Sequence, residues 1–392
     1  MRHPVTPRLG ILTFGHLAID SYSSFFAPLL PLLVAKLGLS LTLVGTLVAL
    51  SSITSSFSQP FFGLVSDRMR RPWFVALGPL TAAIFMSALG LAPSFGVLLA
   101  FLMLAGLGVA AFHPQAAVLA SEASGRKSMG MAIWVTGGTL GFALGPMFAV
   151  GVVTAFGLGG TWVAVFPGIA ASLLLFFWLG RMEVRPRHRE KPPPLRALRP
   201  VLRPLVLLYT ATVSRSVVAA GYMTFLPLYL HGRGYSLAQS GAVVSLYLLF
   251  GALGGFFGGW LSDKVGGRRV IAWSFTGALP LFLTALFLPD RFGIPCLILA
   301  SFVLQSSLPV NVVLGQELSP AHSSTISSFL MGAAWGMGAL IIGPIGALAD
   351  ARGIHAALTV LACMPALGLV CAVALLRDRT PRLEPPRGAA LE

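Results

Sequence analysis

Asp20 sits near the middle of a long apolar run, one helical turn beyond His16 and just before Ser23 and Ser24. Residues three and four apart share a helix face, so these groups form one polar side. A charged carboxylate at the centre of a bilayer costs about 2.5–3.5 kcal/mol even on insertion scales. It must therefore be compensated or protonated, which is the behaviour of a proton-coupling group; the plain alternative is a structural hydrogen bond to a neighbouring helix. His113, beside Pro114 in another apolar run, carries the side chain whose ordinary range spans physiological pH. Its plain alternative is a ring tied to a backbone carbonyl. Asp20, His16 and His113 are the expected proton-coupling residues.

Arg215 is the one arginine inside an apolar run, a single residue from position 216, which matches Asp20 in the second half of the chain. A guanidinium stays charged and can clamp an anionic substrate such as a phosphonate. It can equally be a countercharge for Asp20 or part of a buried scaffold. Gln115, Gln305 and Asn311 are candidate polar substrate contacts, and Tyr22, Phe26, Tyr222 and Phe225 a candidate apolar binding wall. For each of these, ordinary packing or interhelical hydrogen bonding is the competing role. Ser52, Ser55 and Gln59 share one side of their run in the same way.

The elements that position these residues are membrane helices. The chain has 392 residues, 56% hydrophobic and 10% charged, against roughly 25% charged in a soluble protein. With a mean hydropathy of +0.85, it cannot bury its apolar surface in aqueous domains, which excludes a water-soluble enzyme. Apolar runs between charge clusters predict helices near 9–35, 42–66, 72–91, 95–120, 129–156, 160–180, 204–230, 237–261, 270–289, 295–318, 324–349 and 354–376. At about 20 residues per crossing, twelve spans fit the length. The basic start, Met1 to Arg8, runs into the first span without a small-residue cleavage site and reads as a retained helix. Cys296, Cys363 and Cys371 all lie in apolar runs, so no disulfide, metal or cofactor is expected.

The net charge of +15 follows topology, so nucleic acid is not an expected partner. With the N-terminus cytoplasmic, the outer side keeps only Lys36, Arg233, Arg291 and Arg352 of the 27 Lys and Arg, and Arg215 lies within a span. This bias places both termini in the cytoplasm. Residues 181–203, with Lys191-Pro192-Pro193-Pro194, read as a basic cytoplasmic linker between six-helix bundles at 1–180 and 204–376, and 377–392 as a cytoplasmic tail. Shifting the chain by about 196 pairs Pro31 with Pro227, Gly45 with Gly241, Gly63 with Gly259 and Asp67 with Asp263; Pro114 meets Pro309 and Gly145-Pro146 meets Gly343-Pro344 after nearly the same shift. A duplicated six-helix unit is a transporter architecture, with a substrate site expected between the repeats.

The runs Gly63-Leu64-Val65-Ser66-Asp67-Arg68-Met69-Arg70-Arg71 and Gly259-Trp260-Leu261-Ser262-Asp263-Lys264-Val265-Gly266-Gly267-Arg268-Arg269 resemble the signature cytoplasmic loop of the major facilitator superfamily. The resemblance implies a fold of two pseudo-symmetric six-helix bundles. Gly63, Asp67, Arg68, Arg71, Gly259, Asp263, Lys264 and Arg268 then form a conformational latch, in which carboxylates at membrane-edge turns are held by arginines and helix N-termini in one state only. Helix capping by the acids is the alternative.

Gly15-His16 with Asp20, Gln59-Pro60, Arg71-Pro72-Trp73, Phe112-His113-Pro114, Gln316-Glu317-Leu318 and Gly336-Met337-Gly338 with Ala349-Asp350 look like the fosmidomycin-resistance branch of that superfamily. The branch implies drug export across the bacterial inner membrane in exchange for protons, and its pattern has glutamate where this chain has Gln115. Gly137, Gly141 and Gly145-Pro146 resemble the antiporter motif of drug exporters. With Gly343 and Pro344 they are expected to form a helix-packing hinge, since small residues allow close approach and proline bends a helix.

The expected protein is a proton-coupled exporter of small organic compounds, monomeric, in a lipid bilayer, and not an enzyme. Proton-driven uptake or facilitated diffusion would use the same fold, and a transporter-derived sensor would normally add an output domain. A phosphate-binding Gly-Lys-Ser/Thr loop and the His-Glu-x-x-His and Gly-x-Ser-x-Gly hydrolase patterns are absent from the sequence.

Overall fold

The computed structural model describes residues 6–123, 127–180 and 194–378. Most of the expected linker, residues 181–193, and the expected tail from 379 onward lie outside the described residues. Among the described residues, twelve helices are long and apolar enough to cross a bilayer. They are α1 Pro7–Leu37, α2 Leu41–Arg68, α3 Trp73–Leu91, α4 Phe95–Ala123, α5 Gly130–Phe156, α6 Leu158–Leu179, α7 Arg196–Gly232, α8 Leu237–Val265, α9 Gly267–Phe287, α10 Asp290–Leu318, α11 Thr325–Arg352 and α12 Ile354–Arg377. The described residues contain no strand. The chain is an all-α, multi-pass membrane protein.

Local chemistry sets the helix ends. Thr6 caps α1 by accepting from Leu9 N at 3.2 Å, with Pro7 in the first turn where its missing N–H costs nothing. Gly38 closes the same span in the left-handed conformation, φ 61°. Helix α7 starts earlier than its apolar run: Leu195–Val201 winds as a 3-10 turn that leads directly into the α-helix, so the end of the expected linker is helical. Spans α2 and α11 each contain a π-turn, Ile53–Phe57 and Phe329–Ala333. Hydropathy does not register such local widening, because the side chains remain apolar or small.

The chain divides into two compact units, residues 1–188 with 223–249, and residues 189–222 with 250–392. Helices α7 and α8 therefore contribute to both. In the first unit, α5 lies along α1 through glycine: a Cβ on Gly137, Gly141 or Gly145 would meet the backbone of Thr13, Leu17 or Ser21. Three successive turns of one helix thus approach three of the other, which any larger residue would prevent. Helices α3 and α4 cross at Gly78 and Gly108, where each added Cβ would press on the other glycine's carbonyl. Residue Gly241 of α8 joins this unit against Val150 and the carbonyl of Pro146.

In the second unit, α8 presents Gly254 and Gly258 to the backbone of Phe302 and Ser306 in α10, and α11 presents Gly338 to Ser216 in α7. The duplication read in the sequence recurs as paired contacts inside the units. An added Cβ on Gly63 would lie 3.6 Å from Pro114 in the first, and one on Gly259 would lie 3.7 Å from Pro309 in the second. Tyr22 donates to the Ala164 carbonyl at 2.5 Å, and Tyr222 to the Leu358 carbonyl at 3.4 Å.

Candidate functional site

In the first unit Asp20 stands between two imidazoles. Its Oδ2 lies 3.2 Å from His16 Nε2, and its Oδ1 lies 3.4 Å from His113 Nε2. The first contact follows from helical spacing alone. The second requires α4 to cross α1 at this level, and it brings all three expected proton-coupling residues together. Side-chain exposure falls from 23% at His113 through 16% at Asp20 to 7% at His16, so access to the group is from the His113 side.

Each imidazole is also fixed at its other nitrogen. His16 Nδ1 lies 2.9 Å from the carbonyl of Trp134 in α5, and His113 Nδ1 lies 2.8 Å from the carbonyl of Val109, one turn back on α4. A carbonyl only accepts, so both Nδ1 atoms donate, and both Nε2 atoms are turned to the carboxylate. The indole of Trp134 stacks on His16 with centroids 3.8 Å apart and planes 23° apart. On the same helix, an added Cβ on Gly138 would overlap the His16 ring. Sequence reasoning missed Trp134 and Gly138 as partners of His16; the available signal was a tryptophan and a glycine one turn apart on α5, and only the packing of α5 on α1 gives that spacing a meaning. The donor atoms of His16, Asp20 and His113 lie within 4.8 Å of one another, the one such grouping among the described residues. Hydrogen bonding accounts for the orientation of every member.

In the second unit Arg215 is 1% exposed and donates from Nη1 to Gln305 Oε1 at 2.8 Å and from Nη2 to Ser216 Oγ at 3.3 Å. Its guanidinium carbon lies 5.9 Å from the Trp335 ring centroid. The structure thus joins two expected substrate residues, Arg215 and Gln305. Asn311 is fully buried, and neither of its side-chain polar atoms has a hydrogen-bond partner among the described residues.

The other expected contacts are placed in helix packing. Gln115 is buried, and its Oε1 accepts from Val75 N at 3.2 Å, an N–H shared with the Pro72 carbonyl at 3.1 Å. Tyr22, Phe26, Tyr222 and Phe225 are all buried, with the hydroxyls of both tyrosines on backbone carbonyls. Gln59 bonds back to the Ser55 carbonyl at 2.9 Å.

Among the expected latch residues, Gly63 is buried, Asp67 is half-buried, and Arg68, Arg71, Gly259, Asp263 and Lys264 line partly or fully exposed helix ends. The Lys264 ammonium lies 3.8 Å above the Trp260 ring. The Arg268 guanidinium donates to the backbone carbonyl of Asp378, at the end of α12. Of the expected hinge residues, Gly141 and Gly145 make the closest approaches to α1, and Pro146 lies inside α5 just beyond them. An added Cβ on Gly343, next to Pro344, would meet nothing within 4 Å; in the second unit Gly338 makes the tight approach instead.

Comparison with known proteins adds the family. The model of the Major Facilitator Superfamily matches residues 12–344 and 238–391. The chain belongs to that superfamily. It is 30% identical over 376 residues to the uncharacterized MFS-type transporter YfnC of Bacillus subtilis (strain 168), covering 93% of this chain and 92% of the relative. It is 27% identical over 369 residues to the fosmidomycin resistance protein of Escherichia coli (strain K12), covering 92% and 91%. The fold is similar to a bacterial homologue of the human lysosomal transporter Spinster in an inward-facing, occupied conformation, with a TM-score of 0.79, 17% identity and coverage of 97% and 100%. It is also similar to the nucleoside transporter NupG, with a TM-score of 0.72, 15% identity and coverage of 95% and 99%. The chain is a major facilitator transporter and not an enzyme, and transporters of this superfamily carry small molecules across a bilayer.

Proposed function

We propose that this transporter exports small organic compounds in exchange for protons by alternating access, and that Asp20 with His16 and His113 is its proton-coupling site. The observation that carries the reading is the carboxylate inside α1 with an imidazole on each oxygen. An acid at this depth is costly unless a partner or a proton compensates it, which makes its protonation responsive to what else occupies the site. Kinship with a fosmidomycin resistance protein and with multidrug resistance proteins supports export of drug-like compounds. Relatives in bacteria and the distribution of Lys and Arg support an inner-membrane location with both termini cytoplasmic. Arg215 and Gln305 are the substrate-binding pair in this reading, and the unmatched polar atoms of Asn311 are a further contact, since leaving such groups buried and unpaired costs about 1–3 kcal/mol. The signature loops act as the latch, the α1–α5 glycine contact as the hinge, and the protein works as a monomer.

The test is purified protein in liposomes loaded with a pH-sensitive dye and given an acidic interior. Fosmidomycin and lipophilic drugs added outside should release internal protons through wild type and not through Asp20→Asn. Substrate flux without proton movement, or normal exchange by Asp20→Asn, overturns the antiport reading and leaves facilitated diffusion.

A further inference from the structure

We infer that the Asp20 site holds two exchangeable protons, one in each imidazole–carboxylate contact, and that α5 fixes this number by holding His16 through Trp134 and Gly138. The inference rests on the reading of this triad as the proton site and adds its capacity. Both Nδ1 atoms donate to carbonyls, so neither ring can offer an Nε2 proton to Asp20 while neutral. A contact between Nε2 and a carboxylate oxygen needs one proton between them, whichever atom carries it; without it, two lone pairs face each other. Two such contacts are made at once, at 3.2 and 3.4 Å, and so require two protons. By the same count the triad carries a net charge of −1 when empty, zero with one proton and +1 with two.

The two protons are not equivalent. His16 and Asp20 lie four apart on one helix, and the His16 ring is held by the Trp134 stack, the Trp134 carbonyl and the space left by Gly138. His113 Nδ1 is bonded within its own helix, at Val109, its ring meets those of His16 and Trp134 edge-on at 5.0 and 6.3 Å rather than in a stack, and it is the more exposed ring. The His113 contact is therefore the freer of the two to open, and it is one of several links between α1 and α4, beside the Thr6 hydrogen bond to the Ala123 carbonyl. Among the described residues no other charged group is paired with the triad; on α2, which packs on α4, the charges are Asp67 and Arg68 at its end. Helices α3, α5 and α6 contain no Asp, Glu, Lys, Arg or His. Glu122 on α4 is nine residues from His113, Arg8 and Lys36 on α1 are twelve and sixteen from Asp20, and Tyr22 is bonded to the Ala164 carbonyl. At 1.5 Å per residue these charges lie roughly 13–24 Å along the helices.

The test is nuclear magnetic resonance of the full chain in nanodiscs, without substrate, labelled at histidine nitrogens and aspartate Cγ. Signals are assigned from their loss in His16→Gln, His113→Gln and Asp20→Asn. As pH rises, the three groups together should release two protons, and both neutral rings should keep Nδ1–H, the rarer form in water. In His113→Gln the count should fall from two to one. In Gly138→Ala the displaced His16 should lose its Nδ1–H signature. A wild-type count of one, or a neutral His16 with the proton on Nε2, overturns the inference, and wild type alone gives that result if Gly138→Ala does not fold. Because no substrate is used, two protons here with no proton flux in liposomes would sink the antiport reading and leave this one standing.

Discussion

Arg215 in α7 donates to Gln305 in α10 at 2.8 Å, so this buried charge of the second unit is hydrogen-bonded to a neutral amide. A hydrogen bond to a charged group contributes about 1.5–3 kcal/mol, and Ser216 and the Trp335 ring share the load here. Gln305→Leu should therefore lower the melting temperature of the purified protein, with a loss near the bottom of that range, and weaken substrate binding. An unchanged melting temperature would show that the bond contributes nothing to the fold.

The glycine face of α5 predicts a sharp contrast between two similar substitutions. Gly141→Leu places a side chain on the Leu17 backbone of α1, where only a glycine fits, and should abolish folding or transport. Gly343→Ala adds a methyl group in open space. Alanine favours a helix over glycine by about 0.8–1 kcal/mol, so this variant should be active and slightly more stable. Membrane expression and thermal scans of both variants check the pair.

The spans were legible because lipid demands long apolar helices, and the duplication because equivalent prolines and glycines fill equivalent packing positions. Asp20 beside His16 was legible from spacing along one helix. The approach of His113, the Trp134 stack and the gap at Gly138 were not, since each depends on which helices cross and at what level. The surroundings of Gly343 were not legible for the same reason: its spacing copies Gly145, yet an added Cβ there would meet nothing within 4 Å, while on the same helix Gly338 lies against Ser216. Residue Arg268, singled out by its motif, bonds to the end of α12, a partner more than a hundred residues away that no local pattern announces.

That bond carries its own prediction. Asp378 is the C-cap of α12; its backbone carbonyl takes the Arg268 guanidinium and its carboxylate lies 3.8 Å from Arg203, whose side chain is 77% exposed. The Asp378 carboxylate is only 1% exposed, but its Arg203 partner stands largely in solvent at the limit of ion-pair distance, which weakens that pair, whereas a guanidinium on a helix-end carbonyl satisfies an acceptor the helix leaves open. Arg268→Gln should lower the melting temperature more than Arg203→Gln. Transport loss in Arg268→Gln at unchanged melting temperature would instead favour its role in the latch.

Gln115 separates a packing role from a substrate role. Its oxygen caps the start of α3 at Val75 N, a donor already shared with the Pro72 carbonyl, so removing the amide leaves that N–H one acceptor rather than none. Gln115→Leu should then cost about 0.5–1.5 kcal/mol, the ordinary worth of one hydrogen bond. Gln115→Glu keeps an oxygen at the same place and should match wild type in stability. Neither change should alter substrate affinity if the side chain serves α3 alone. Thermal scans with substrate-binding isotherms distinguish the roles, because a residue in the binding site would weaken substrate affinity severalfold in Gln115→Leu while leaving the ligand-free melting temperature where it was.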